Sequence, residues 1–351
     1  MNETPLLIRP MTLGEILDKA IRLYRQNFLK FLGILAIPYI PLTLIQMVLS
    51  VLYTTTTLQS IVDQRGDPSE LLGRGIAAIA GIIIFGIANF ILVSGFATAA
   101  LTRAIANNYM NKPIGIVASY RAIASSGWKL VLALLLAGIL VVILFFWALV
   151  PIVGWLSGPG VGFFLLLIVI PLIAPIAALE NLGVLNTIRR AWDMGRSRFW
   201  WLIGYAIVLF LLGHLIVSGP VYLLRTVLQF AFYSLPEIDY SMQTMLSTII
   251  TTLVSLALGL LYTPLQLTMM TVVYFDLRAR HEGLDLALQL ASLNEPQTAA
   301  ALPEISTRES TPLLTGLDLG RFALLSLISM ALLGCYFFFV FVFLGITTAG
   351  L

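Results

Sequence analysis

Charge is what this 351-residue chain has least of: Asp, Glu, Lys and Arg make up 11%, against about a quarter in soluble globular proteins. With 59% hydrophobic residues and a mean hydropathy of +0.98, that shortage excludes a soluble enzyme, a disordered tail protein and a nucleic-acid binder. Cysteine is nearly missing, and Cys335 alone excludes an intramolecular disulfide. Histidine is almost as scarce. His281 has a carboxylate four residues on, at Asp285, but no second cluster of ligands accompanies it. No metal, no cofactor and no catalytic residue is assigned. A signal peptide is not expected either, because the first apolar run follows a charged stretch and lacks a small-residue cleavage site.

What the chain does have is apolar length. Crossing the hydrocarbon core takes about 20 apolar residues in a helix. Seven segments qualify, at 30–53, 76–106, 128–150, 160–180, 199–222, 243–275 and 321–346. The second and sixth are long enough to tilt or project. If the N-terminus is inside, all of the 20 basic residues except Arg65, Arg74 and Arg225 fall on the inner side. The positive-inside rule then predicts a cytoplasmic N-terminus and an outside C-terminus. Residues 286–320, with Pro296, Pro303 and Pro312 among Ser, Thr, Gln and Glu, read as a flexible cytoplasmic linker. The expected fold is an all-α polytopic membrane bundle. Residues 1–285 form its six-helix domain, and 321–351 add a tethered seventh transmembrane helix.

A weak threefold repeat runs through the body. Residues 11–28 put Leu13, Ile16, Leu17, Ala20, Ile21 and Tyr24 on one helical face and Asp18, Lys19, Arg22 and Arg25 on the other. Thr12 and Glu15 supply a capping box. Residues 182–198 repeat the pattern, and residues 113–127 do so more faintly. Each segment begins near a Leu-Gly or Ile-Gly pair and leads into a transmembrane hairpin past an aromatic residue, Phe28, Trp128 or Phe199. The unit is an interfacial helix, a helix out and a helix back.

The stretches RPMTLGEILDKAIRLYRQNF, ALENLGVLNTIRRAWDMGRSRFWWLIG and YFDLRARHEGLDL resemble the glycerophosphoryl diester phosphodiesterase membrane-domain family over about residues 9–286. Tyr274, Asp276, Arg278, Arg280, Glu282, Gly283 and Asp285 stand where that family's signature stands. The resemblance implies a roughly six-helix bundle in a prokaryotic plasma membrane and implies no reaction. The chain has no room for the phosphodiesterase barrel, which needs around 250 residues. Its seventh helix is a second departure and suggests a partner protein in the membrane.

Arg22, Arg25, Arg189, Arg190, Arg196 and Arg198, with Trp200, are the candidates for gripping phospholipid headgroups. The same charges also suffice to set topology. Asp276 and Arg280 stand at a favourable i, i+4 spacing, and a network from them to the interfacial helices is expected. His214 in the fifth span is read as a neutral ring bonded to a backbone carbonyl, and Gln46, Asn89 and Gln266 as interhelical hydrogen-bonders. Paired prolines (Pro38 with Pro41, Pro171 with Pro175) kink their spans or build a transport site.

Three functions remain. One is a non-catalytic scaffold or accessory subunit that binds the bilayer and, through the C-terminal helix, a membrane protein. The alternative is a transporter or channel for a lipid or small solute. A headgroup hydrolase using Asp276, His281 and Glu282 is the third.

Overall fold

The computed structural model describes residues 11–62, 68–110, 113–124, 126–180, 182–233, 239–282, 312 and 314–348. Within these, side chains are left undescribed at 53–62, 68–72, 74, 75, 78, 79, 82, 233, 337 and 339–348. Gly283 and Asp285 of the signature, and nearly all of the expected linker, lie outside the described residues.

Every regular element described is helical. Helix α1 (Leu13–Gln26) leads into the first span, α2 (Phe28–Val62). The return runs as α3 (Pro68–Asn89), a π-helical turn at Phe90–Ala97 and α4 (Thr98–Tyr109). A second short helix, α5 (Ile116–Ile123), introduces α6 (Gly127–Trp147). Its return is α7 (Val153–Phe164), a π turn at Leu165–Val169 and α8 (Ile170–Leu179). The third unit is α9 (Val184–Ser197), α10 (Phe199–Gly213), a π turn at His214–Ser218, α11 (Gly219–Tyr233) and α12 (Tyr240–Glu282). Helix α13 (Gly316–Thr348) comes last. Seven stretches are long and apolar enough to cross a bilayer, and the protein is a multi-pass membrane helix bundle.

The short helices end where the chain must turn into a span. In α1 the Glu15 carboxylate accepts from the Thr12 amide at 2.7 Å and the Glu15 amide donates to the Thr12 hydroxyl at 3.4 Å, closing the capping box. Non-helical backbone at Asn27 (φ −126°, ψ 25°) and at Arg198 (φ −132°, ψ 49°) separates α1 and α9 from the spans that follow. The Tyr24 hydroxyl donates to the Leu261 carbonyl and the Tyr120 hydroxyl to the Ile34 carbonyl, each at 2.7 Å. Burial pushes both phenols up to about 12, so they remain donors at any physiological pH.

Prolines do not break the spans: α2 runs through Pro38 and Pro41, and α12 through Pro264. At Pro171 the local adjustment is a π turn. A proline deprives the carbonyl four residues earlier of its partner and crowds it, and the wider turn at Leu165–Val169 accommodates this.

The core is concentrated at one end. Phe31, Ile34, Leu101, Ile105, Ile173 and Tyr274 are fully buried there, near the short helices. Helix α12 buries residues only from Gly259 onward, α6 none after Ala137, and α11 none. Burial is concentrated at the charged end of the bundle and falls off toward the other.

Candidate functional site

The well-buried end is closed by charge. Glu180, at the C-terminus of α8, is 4% exposed. Its carboxylate accepts from the Tyr274 hydroxyl at 2.8 Å and from Arg190 Nε at 3.0 Å. Arg278 Nε donates to Glu282 at 2.8 Å and its Nη1 to the Tyr274 hydroxyl at 3.2 Å, while Arg190 also reaches Glu282. Two carboxylates and two guanidinia thus neutralise one another across α8, α9 and α12, the condition for keeping charge in a buried site. Burial works to lower the Arg190 pKa, but Glu180 and Glu282 outweigh it and hold the guanidinium above its ordinary value.

One helical turn away the balance differs. Asp276, fully buried, accepts from the Met11 amide at 2.7 Å and from Arg280 Nε at 2.9 Å, and lies 3.5 Å from Arg198 Nη1. Arg280 also donates to the Met11 carbonyl at 2.7 Å. Among the described residues two guanidinia share this single carboxylate, leaving one positive charge in excess. Both side chains are more than a quarter exposed, and the Arg198 guanidinium lies 4.4 Å over the Trp201 ring. Burial and the Arg280 charge hold the Arg198 pKa below its ordinary value against the pull of Asp276.

The seventh helix is seated on the same molecule. Thr315 and Asp318 form a capping box that starts α13. The Asp318 carboxylate then accepts from Arg196 Nη1 at 2.7 Å. Arg196 further donates to Asp193 at 2.6 Å and to the Pro312 carbonyl at 3.1 Å. Phe322 fills a box of Phe164, Trp192 and Phe199, with ring centroids 5.3–5.5 Å apart. At Gly160 the two helices touch: any side chain would strike the Phe322 carbonyl and the Ser326 hydroxyl, and the Gly160 amide donates to that hydroxyl at 2.7 Å. Beyond Ser329 the described face of α13 is largely exposed, including Leu332, Leu333 and Tyr336.

The structure therefore splits the expected headgroup residues. Arg22, Arg25, Arg189 and Trp200 are exposed, and Arg198 is half-buried at the Asp276 rim. Arg190 and Arg196 turn inward to carboxylates instead of outward to headgroups, because acids remote in sequence neutralise them there. All five described signature residues, Tyr274, Asp276, Arg278, Arg280 and Glu282, lie in the two junctions. Sequence reasoning missed Glu180 and Asp318. Their signals were a lone acid ending an apolar run and a Thr-x-x-Asp start at Thr315. Among the described residues no group of three or more His, Cys, Asp or Glu could hold a metal ion.

His214 does not face the interior: its exposed ring stands between Phe210 and Tyr222. Gln46 and Asn89 also depart from expectation. Rather than bridging helices, they line a recess of about 490 Å³ with Thr43, Thr251, Thr252 and Ser255. No family model, curated protein or solved structure matches the chain.

Proposed function

We propose that the protein is a non-catalytic membrane scaffold or accessory subunit whose charged end binds anionic phospholipid. The observation that carries this reading is the charge imbalance at Asp276, where, among the described residues, Arg198 and Arg280 together leave one positive charge unspent at an accessible rim. A lipid phosphate is the complementary group, since guanidinium forks match phosphate oxygens. Exposed Trp200 beside it suits the headgroup depth, and Arg22, Arg25 and Arg189 add a diffuse attraction of roughly 1 kcal/mol each near an anionic leaflet. The basic-residue asymmetry supports placing this end in the cytoplasm, and the resemblance of the sequence to the glycerophosphoryl diester phosphodiesterase membrane-domain family supports a prokaryotic plasma membrane. The exposed residues Leu332, Leu333, Tyr336 and Phe338 of α13 mark the surface we assign to a membrane protein partner.

The test is lipid retention by the purified chain in nanodiscs of phosphatidylcholine doped with phosphatidylglycerol. The wild type is expected to enrich phosphatidylglycerol, and Arg198→Gln to reduce that enrichment about fivefold, the equivalent of one basic residue's contribution. Equal retention of the two lipids, or an unchanged preference in the variant, overturns the reading. A second reading, passage of a lipid or small solute, is favoured by one observation, the polar recess away from the charged end.

A further inference from the structure

The recess is lined by residues of α2, α3, α11 and α12. It is remote from the ionic junctions: Thr252 stands about 36 Å of helix rise from Asp276 along α12. On α2 its lining runs from Tyr39 to Ser50, inside the apolar span Phe28–Leu52. It is therefore at membrane depth, where each polar group without a partner costs several kcal/mol. Polar side chains scattered at random would not converge from three helices on one volume. Those of α2, α3 and α12 do.

Helix-to-helix hydrogen bonding is the ordinary use of such residues. It does not account for these. Among the described residues neither the Gln46 nor the Asn89 carboxamide has a hydrogen-bond partner. Thr251 has already committed its hydroxyl proton within α12, to Ser247 at 2.6 Å and Thr248 at 3.3 Å, so it offers only an acceptor. The lining thus presents amide donors, amide and hydroxyl acceptors, and no ionisable group other than the Tyr39 phenol. An ion would find no countercharge there and would bear the full cost of dehydration. A ligand bearing several hydroxyls, each both donor and acceptor, satisfies the wall. The volume is within the 300–1,000 Å³ typical of small-molecule sites. Ile45, Val48 and Leu49, each about half exposed, continue the same stretch of α2 with apolar surface suited to an acyl chain.

We propose that this recess binds an uncharged polyhydroxyl group, a sugar or polyol, carried by a lipid or free in solution. The inference does not rest on the anionic-lipid reading, which concerns the opposite end of the bundle.

The experiment uses the full chain in phosphatidylcholine nanodiscs, with radiolabelled monoglucosyl diacylglycerol and free glucose as separate probes. Diacylglycerol and phosphatidylglycerol serve as competitors. Saturable binding of at least one glucosyl probe is expected, with neither competitor displacing it. The double variant Gln46→Leu, Asn89→Leu should weaken binding at least tenfold. The near-isosteric Thr252→Val, Ser255→Ala should weaken it severalfold, and it decides the matter if the leucine variant does not fold. Binding of the lipid probe alone assigns a lipid headgroup; binding of glucose assigns a free solute. Absence of saturable binding by both probes, displacement by phosphatidylglycerol, or wild-type affinity in the folded variants overturns the proposal.

Discussion

Arg196 and Asp318 meet at 2.7 Å across 122 residues of sequence, both less than a tenth exposed. That pair fastens the first turn of α13 to the end of α9, and with it the seventh helix to the six-helix body.

Removing one member of such a pair leaves the other charged and buried, which typically costs 3–5 kcal/mol. Asp193 remains beside Arg196 and compensates in part. Asp318→Ala is expected to destabilise by about 3 kcal/mol, to which the lost cap contributes about 1 kcal/mol. Thermal unfolding followed by size exclusion in mild detergent measures it. An unchanged midpoint would show that the pair contributes nothing to docking.

Gly160 predicts a separable effect. The α7–α13 crossing is close because glycine lets the Phe322 backbone and the Ser326 hydroxyl approach. Gly160→Leu should push α13 off α7 while leaving the Arg196–Asp318 pair able to form. Cysteines placed at Gly160-flanking Val161 and at Leu325, in a Cys335→Ser background, should cross-link in the parent and lose that cross-link in the Gly160→Leu form. Retained cross-linking would contradict the contact.

Much of this architecture could be read in advance, for identifiable reasons. Apolar runs marked the spans, since lipid demands them. Thr12 with Glu15 marked the start of α1, and Asp276 with Arg280 their own i, i+4 pair, because those interactions are local. The destinations of Arg190 and Arg196 were hidden, since Glu282 and Asp318 lie far along the chain and only packing brings them near. The π turns and the recess were hidden for the same reason: each depends on which helix faces which.

The Glu180 cluster makes a prediction about coupling. Glu180→Gln keeps an acceptor for Tyr274 but removes one of the two carboxylates that Arg190 and Arg278 share, Glu282 remaining. The single variant should lose about 3 kcal/mol. Adding Arg190→Met restores neutrality, so the double variant should recover 1–2 kcal/mol, within the usual range of direct couplings. A double variant whose losses simply add would show that the four groups do not act together.

The last prediction concerns the hairpin between α6 and α7. Ile152 has φ 64° and ψ −67°, the only non-glycine residue among those described with positive φ. The Val153 amide donates to the Pro151 carbonyl at 2.7 Å, which closes a three-residue γ-turn around Ile152. For a β-branched residue this conformation is strained, at a cost of order 1–3 kcal/mol. The side chain recovers little of that, being 69% exposed. Glycine adopts the same angles without the Cβ clash, although its unfolded chain is more flexible and returns some of the gain. Ile152→Gly is therefore expected to stabilise the protein by about 1 kcal/mol, seen as a higher midpoint in thermal unfolding. Ile152→Ala keeps the Cβ and should leave the midpoint nearly unchanged. A lower midpoint for the glycine variant would mean that the exposed isoleucine contributes more through the bilayer than its backbone strain removes.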